Sequence, residues 1–350
     1  MNKKIPVCIL GATGAVGQRF VQLLAGHPWF EIAALAASDR SAGRRYGDAC
    51  RWIVPGDPPD SMMDMVVSPL EPTIYGKLAF SALPADVARQ IEPQFAAAGY
   101  AVCSNASAFR YEPDIPLLIP EVNSDHLSLI ENQRRGRRWP GFIVTNPNCS
   151  TTGISMALKP LHDAFGIARA FVSTMQAASG AGYPGVASLD ILDNVLPFIA
   201  GEEEKIEREP RLLLGSIVDG RRIEAAIAVS AHANRVPVID GHTICVSAAF
   251  EKTPSISQAV EVLRLFRGPA HVRALPSAPA QPVIVREKED RPQPRRDRDE
   301  ARGMAVSVGR IRSCPVLDLR FVLVVHNTLR GAAGGAILNG ELLKSEGLIG

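Results

Sequence analysis

Near the start of the chain, Gly11-Ala12-Thr13-Gly14-Ala15-Val16-Gly17 lies between an apolar run and an amphipathic one. Pro6 to Leu10 reads as a short buried strand. Val16 to Leu24 reads as a helix, because Val16, Phe20, Val21 and Leu24 recur on one face. Strand, glycine turn and helix in that order make a glycine string informative. Glycines let the backbone approach a pyrophosphate, and the helix N-terminus attracts its charge. The segment predicts the first βα unit of a dinucleotide-binding half, with a ligand-free tight turn as the bland alternative.

The alternation continues. A strand at Glu31 to Ala36 ends in Ser38-Asp39-Arg40-Ser41-Ala42-Gly43-Arg44, where such a half reads the adenosine ribose. Asp39 suits a free 2′-hydroxyl, whereas Arg40, Arg44 and the two serines suit a 2′-phosphate, and the balance favours NADP. Strand Leu78 to Phe80, helix Ala85 to Ala97 and strand Ala101 to Cys103 extend a parallel α/β sheet. Past residue 148 the strands lengthen: Ala168 to Met175, Arg222 to Ala231, His242 to Phe250 and Met304 to Ile311. An apolar helix is expected over Leu189 to Phe198.

The fold class expected is α/β, a Rossmann-type dinucleotide-binding domain joined to an α+β domain with a largely antiparallel or mixed sheet. The first domain spans 1–148 and the second, catalytic and dimerising, spans 149–326. The C-terminal segment 327–350, a glycine-rich turn and a helix, is expected to complete the first domain. A chain of 350 residues is long enough for two cores.

Composition excludes some partners. A net charge of +2, with 46% hydrophobic and 21% charged residues, argues for neither nucleic acid nor an anionic membrane as partner. Arg286 to Arg302 mixes both signs and reads as a solvated strand-and-loop surface. Arg134-Arg135-Gly136-Arg137-Arg138 is more one-sided, but reads as a loop. The six cysteines are far apart and without C-x-x-C spacing, which fits a reducing cytoplasm. The first residues run directly into a strand, so no signal peptide is expected, and no apolar run reaches the ~18 residues of a membrane span.

The chemistry centres on Cys149. Phe142 to Val144 reads as a strand end, Asn146-Pro147-Asn148 as a turn, and Ser150 onward as a helix. A thiol at a helix N-terminus is expected to ionise more readily. With a nicotinamide cofactor it suggests hydride transfer through a thioester, which also needs an acid/base, a cation and oxyanion donors. His242 follows a turn into a strand and is one of seven histidine candidates for the base. Arg235 can clamp a carboxylate or make a surface ion pair. Glu202 and Lys205 are spaced as an ordinary solvated helix pair. Arg110 follows a strand end, where it can meet phosphate.

Taken together, these residues resemble aspartate-semialdehyde dehydrogenases, in particular their archaeal and fungal branch. The resemblance covers nearly the whole chain. It is carried by Gly11 to Gly17, Phe80-Ser81-Ala82-Leu83-Pro84, Ile119-Pro120-Glu121-Val122-Asn123, Thr145 to Gly153, Gln176 to Gly182, Gly201 to Lys205, Asn234-Arg235-Val236-Pro237, Asp240-Gly241-His242 and Asn327 to Gly334.

The resemblance implies that Cys149 is the nucleophile and His242 the acid/base, with Asn148 near the acyl oxygen. Gln176 and Arg235 would hold the amino-acid end, Glu202 the amino group, and Asn105, Arg110 and Lys205 the phosphate. NADP would touch Gly11, Thr13, Gly14, Ala15, Val16, Ser38, Arg40, Ser41, Ser179, Gly182 and Asn327. The implied reaction is reversible reductive dephosphorylation of L-aspartyl 4-phosphate in a cytoplasmic homodimer or homotetramer that feeds lysine, threonine, methionine and isoleucine synthesis. Malonyl-CoA reductases of the same branch and a non-catalytic nucleotide-binding paralogue are the alternatives. The Pro147-Asn148-Cys149-Ser150 context weighs against N-acetyl-glutamyl-phosphate reductase, and the absence of a Ser-Cys-Thr-Thr-Asn string against glyceraldehyde-3-phosphate dehydrogenase.

Overall fold

The computed structural model describes residues 3–350. Its first sheet is five-stranded and wholly parallel, in the order β2-β1-β3-β4-β5. These strands are β1 (Ile5–Leu10), β2 (Phe30–Ala36), β3 (Leu78–Ser81), β4 (Ala101–Ser104) and β5 (Phe142–Thr145). Four of the five are buried nearly throughout, as expected of a parallel sheet covered on both faces. Phe20, Phe30 and Phe80 pack on one face with Ile337, and Phe95 and Tyr100 on the other.

The second sheet is mixed and six-stranded, in the order β11-β12-β13-β10-β6-β9. It comprises β6 (Ile167–Ala177), β9 (Ala228–Val236), β10 (His242–Phe250), β11 (Val283–Arg286), β12 (Val306–Ser313) and β13 (Leu319–Val325), while β7 (Ser216–Val218) and β8 (Arg221–Ile223) form a separate hairpin. One face is covered by the helices Cys149–Phe165, Glu202–Leu213 and Ile256–Leu265. The first of these lies so close to β13 that a Cβ at Gly153 would stand 2.7 Å from a Val325 methyl carbon. The C-terminal helix Gly334–Ser345 returns to the parallel sheet, where a Cβ at Gly340 would meet the Phe80 ring at 2.9 Å.

Four local expectations change. Over 189–198 only the first three residues are helical, as the end of a short helix, Ser188–Ile191. Asp193 takes a left-handed φ of 58°, Pro197 interrupts the pattern, and Leu189, Leu192, Val195 and Phe198 stay exposed with no core to face. The strand expected over 222–231 divides between β8 and β9. The arginine run at 134–138 ends a helix, Leu129–Arg137, whose Leu129, Ile130 and Gln133 are buried, and Arg137 pairs with Asp114 and Glu112. The mixed run at 286–302 is not simply solvated, because Asp297 is fully buried and bonded to Arg286 and Arg291.

Candidate active site

A crevice of about 660 Å³ runs between the two sheets, with the glycine loop on one wall. Gly11 has φ of 81°, and a Cβ there would press on the Ala82 carbonyl oxygen at 2.9 Å. At Gly17 a Cβ would stand 2.7 Å from the Ala12 Cα, so only glycine lets the helix Ala15–Leu24 pack on its own loop. Gly14 caps that helix without a side-chain bond, leaving its first N–H groups to face the crevice. Gln18 ties the loop down: its amide donates to the Thr13 and Arg51 carbonyls at 3.0 and 2.9 Å.

Thr13, Gly14, Ala15 and Val16 line the crevice, with Ser179, Gly182 and Asn327 across from them. These groups fit a dinucleotide: a backbone cradle, a helix start for pyrophosphate and a slot of matching size. Gly11 shapes the loop from behind. Ser38 and Arg40 are exposed and Ser41 half-buried in the turn after β2, outside the crevice walls.

Cys149 is the first residue of its helix. The Asn148 side chain caps that helix by accepting from the N–H groups of Ser150 and Thr151, at 2.9 and 3.2 Å. The Cys149 Sγ lies 3.1 Å from Nε2 of His242, 93 residues later in the chain. His242 opens β10 and is fully buried. The backbone N–H of Ala177 donates to its Nδ1 at 3.0 Å. A backbone N–H can only donate, so Nδ1 is the acceptor and the neutral ring carries its proton on Nε2, facing sulfur. Opposite, a Cβ at Gly331 would stand 2.6 Å from that of Cys149, so glycine admits the backbone there.

The expectation of a readily ionised thiol is corrected. Burial pushes the Cys149 thiol up to about 12, and the Glu202 carboxylate adds to it; Arg110, the Ser150 N–H and Arg235 pull the other way but are outweighed. His242 is pushed down to about 3, by burial first and the Arg235 charge second. In this ligand-free geometry both partners are neutral.

Behind the pair is a buried polar hub. Glu202 accepts from Lys205 at 2.9 Å, from the Asn148 amide at 2.8 Å and from the Gln176 amide at 3.1 Å. Burial alone would raise its pKa, but the Lys205 charge and these three bonds hold its carboxyl below the ordinary value. The solvated-pair reading of Glu202 and Lys205 is thereby replaced, since Glu202 is 92% buried, with 8% of its surface exposed. Gln176 and Arg235 are register partners on β6 and β9, and Arg235 Nη1 donates to the Ala177 carbonyl at 2.9 Å. Arg110 lines the crevice and donates to Glu209 at 2.9 Å and to the Asn105 carbonyl at 2.8 Å.

Cys149, His242, Asn148, Gln176, Glu202, Lys205, Arg235, Arg110 and Asn105 therefore gather at one end of the crevice. Ser38, Arg40 and Ser41 stand apart, in the turn after β2 and outside the crevice walls. Sequence reasoning missed Glu209, Gln18 and Asn146, whose amide donates to the Asn105 side chain at 2.9 Å and the Ala332 carbonyl at 2.8 Å. The one signal for Glu209 is its place on the same helix face as Glu202 and Lys205, at i+7 and i+4, which a solvated face would share.

Two family models match the chain: "Semialdehyde dehydrogenase, NAD binding domain" over residues 6–130, and "Semialdehyde dehydrogenase, dimerisation domain" over 158–330. An aspartate-semialdehyde dehydrogenase of Methanothermobacter thermautotrophicus is 54% identical, over 97% of this chain and 99% of the relative. One from Cryptococcus neoformans is 48% identical, over 99% and 98%. Among solved structures, the Candida albicans aspartate-semialdehyde dehydrogenase with NADP matches at TM-score 0.92 and 44% identity, covering 99% of this chain and all of that one.

Proposed function

This chain belongs to the aspartate-semialdehyde dehydrogenases, and from that membership we propose that it interconverts L-aspartyl 4-phosphate and L-aspartate 4-semialdehyde with NADP through a thioester on Cys149. The observation that carries the residue assignment is the Cys149 Sγ to His242 Nε2 contact of 3.1 Å at the floor of the dinucleotide crevice. NADP, held along the crevice by Thr13, Gly14, Ala15, Val16, Ser179, Gly182 and Asn327, would supply the hydride acceptor in the oxidative direction and, as NADPH, the hydride donor in the biosynthetic one.

Cys149 is the nucleophile. In the oxidative direction its sulfur bonds to the aldehyde carbon while His242 Nε2 gives its proton to the resulting oxygen and takes the thiol proton in exchange; when the hydride leaves that carbon, the hydroxyl proton is released to solvent and the thioester C=O forms. Asn148, whose amide donates one hydrogen to Glu202 and whose Oδ1 caps the helix, has its second amide hydrogen for the acyl oxygen, and Arg235 with Gln176 receives the α-carboxylate. Glu202 takes the amino group. Arg110, Asn105 and Lys205 hold phosphate, whose oxygen attacks the thioester and expels the Cys149 thiolate.

The chain divides, on this reading, into a nucleotide domain of 1–148 completed by 327–350, and a catalytic and dimerising domain of 149–326. The return of helix Gly334–Ser345 to β3 supports that division. The exposed sheet face carrying Arg169, Phe171, His232 and Cys245 is the surface we assign to a homodimer, which can pair further into a tetramer. Free cysteines support a cytoplasmic setting, and among the described residues no helix is long and apolar enough to cross a membrane. The testing assay offers aspartate semialdehyde and phosphate with NADP and NAD side by side, against malonyl-CoA with NADPH. Phosphate-dependent reduction of NADP is expected. Turnover with malonyl-CoA alone would overturn the assignment.

A further inference from the structure

Glu209 is a buried carboxylate that none of the steps above uses. It shares the helix Glu202–Leu213 with Glu202 and Lys205 and has no solvent exposure. One oxygen, Oε1, accepts from Nη1 of Arg110 at 2.9 Å. The other, Oε2, accepts the backbone N–H of Asn148 at 2.6 Å. A single carboxylate thus joins the cation assigned to phosphate to the backbone N–H of the residue immediately before the nucleophile. Arg110 is braced from its other arm by the Asn105 carbonyl, so both ends of the fork are fixed.

A carboxylate present only to neutralise Arg110 needs no bond to Asn148. The second bond points to geometry as the reason for its place: it sets how far the phosphate-facing guanidinium stands from the turn that carries the sulfur. We propose that Glu209 is a positioning residue for the phosphate half of the reaction, holding Arg110 and the Cys149 turn in the one spacing from which a phosphate oxygen can reach the thioester carbon. The proposal rests on the phosphate reading of Arg110 given above. In the step itself the phosphate oxygen bonds to the acyl carbon, the C–S bond breaks, and sulfur leaves with the electron pair. No proton from Glu209 is needed, because the bond formed to phosphate oxygen and the bond broken to sulfur account for the whole step.

Glu209→Gln keeps the shape but sets an amide NH₂ against one of two donors, so one brace is lost. Glu209→Asp keeps the charge but is one methylene too short to span both partners. In oxidative kinetics with phosphate varied at saturating NADP and aspartate semialdehyde, both variants should raise the phosphate KM. The expected rise for Glu209→Gln is about tenfold or more, the effect of removing a charge-assisted bond that orients a clamp. The KM for NADP should stay within about twofold of the parent, because the cofactor loop does not touch Glu209.

Arg110→Ala separates this proposal from the reading beneath it. If Arg110→Ala lowers kcat/KM for phosphate while neither Glu209 variant moves the phosphate KM, the positioning role is overturned and the phosphate site stands. If Arg110→Ala leaves kcat/KM for phosphate unchanged, the phosphate reading itself fails. Equal rises in all three KM values, with a lowered thermal midpoint, would make Glu209 merely structural and also overturn the proposal. Should Glu209→Gln fail to fold, Glu209→Asp decides by the same phosphate KM.

Discussion

The two ends of the crevice are built from different materials. At the nucleotide end the work falls to backbone: glycines at 11 and 17 that no other residue can replace without a collision, and helix N–H groups left open by Gly14. At the catalytic end it falls to buried side chains, where Asn148, Gln176, Lys205 and Arg110 converge on the carboxylates of Glu202 and Glu209. A backbone cradle binds a ligand with few prearranged polar side chains. A side-chain cage must be satisfied before the ligand arrives, and each missing member leaves a buried group unpaired.

The sharpest break between the two ends should come from Cys149→Ala. Turnover is expected to fall at least about a thousandfold, since no other group there supplies a nucleophile, while NADP affinity measured by fluorescence titration persists. Loss of both together would mean that the two ends are not separable.

Next in size is the joint between them. Arg330 and Glu121 form a doubly bonded pair at 2.7 and 2.6 Å, both about 1% exposed on their side chains, pinning the glycine-rich turn beside Cys149. Arg330→Met leaves Glu121 buried without its cation, which should cost roughly 3 to 5 kcal/mol in denaturant unfolding. A loss below about 1 kcal/mol would show that the turn is held by packing alone.

Two buried carboxylates then give opposite pH signatures. Glu92, under the nucleotide end, accepts from the Ser104 hydroxyl at 2.6 Å, and burial pushes it up to about 7 against the serine hydrogen bonds that lower it. Glu202, at the catalytic end, is held below its ordinary value. A raised carboxyl contributes stability that is full below its unfolded value and lost as pH rises through the folded one. A depressed carboxyl contributes stability that is present at higher pH and lost on acidification. Between pH 4.5 and 7 Glu92 should therefore erode stability by up to about 3 kcal/mol. Glu92→Gln, which mimics the protonated acid, should flatten that slope in thermal melts across the range. An unchanged slope would place the dependence elsewhere.

The smallest effect is expected at the exposed ribose turn. Arg40→Ala should raise the KM for NADP about tenfold and leave that for aspartate semialdehyde within about twofold, because a solvent-exposed charge contributes modestly. A larger change in the substrate KM would tie this distant turn to the catalytic end.

The same contrast explains what could be read from the chain. Strand periodicity and glycine spacing are local, so the parallel sheet, the helix Ala85–Ala97 and the strand His242–Phe250 were legible directly. Cys149 was legible as the start of a helix, because Asn146-Pro147-Asn148 marks the turn. Its elevated pKa was not, because burial is a property of the assembled fold. Glu209 sits in a helix rich in charge and looks solvated until Arg110, 99 residues earlier, is brought against it. The exposed apolar stretch after Ser188 misled in the opposite way: its spacing suggested a helix, but no core faces it.

In the proposed mechanism Cys149 carries the acyl group between hydride transfer and phosphate attack. Acid quenching of the enzyme with aspartate semialdehyde and NADP, with and without phosphate, followed by peptide mass spectrometry, tests it directly. An aspartyl thioester is expected on the Cys149 peptide, accumulating without phosphate and disappearing when phosphate is added. Phosphate-dependent turnover with no acyl group ever found on Cys149, or one found on another residue, would contradict it.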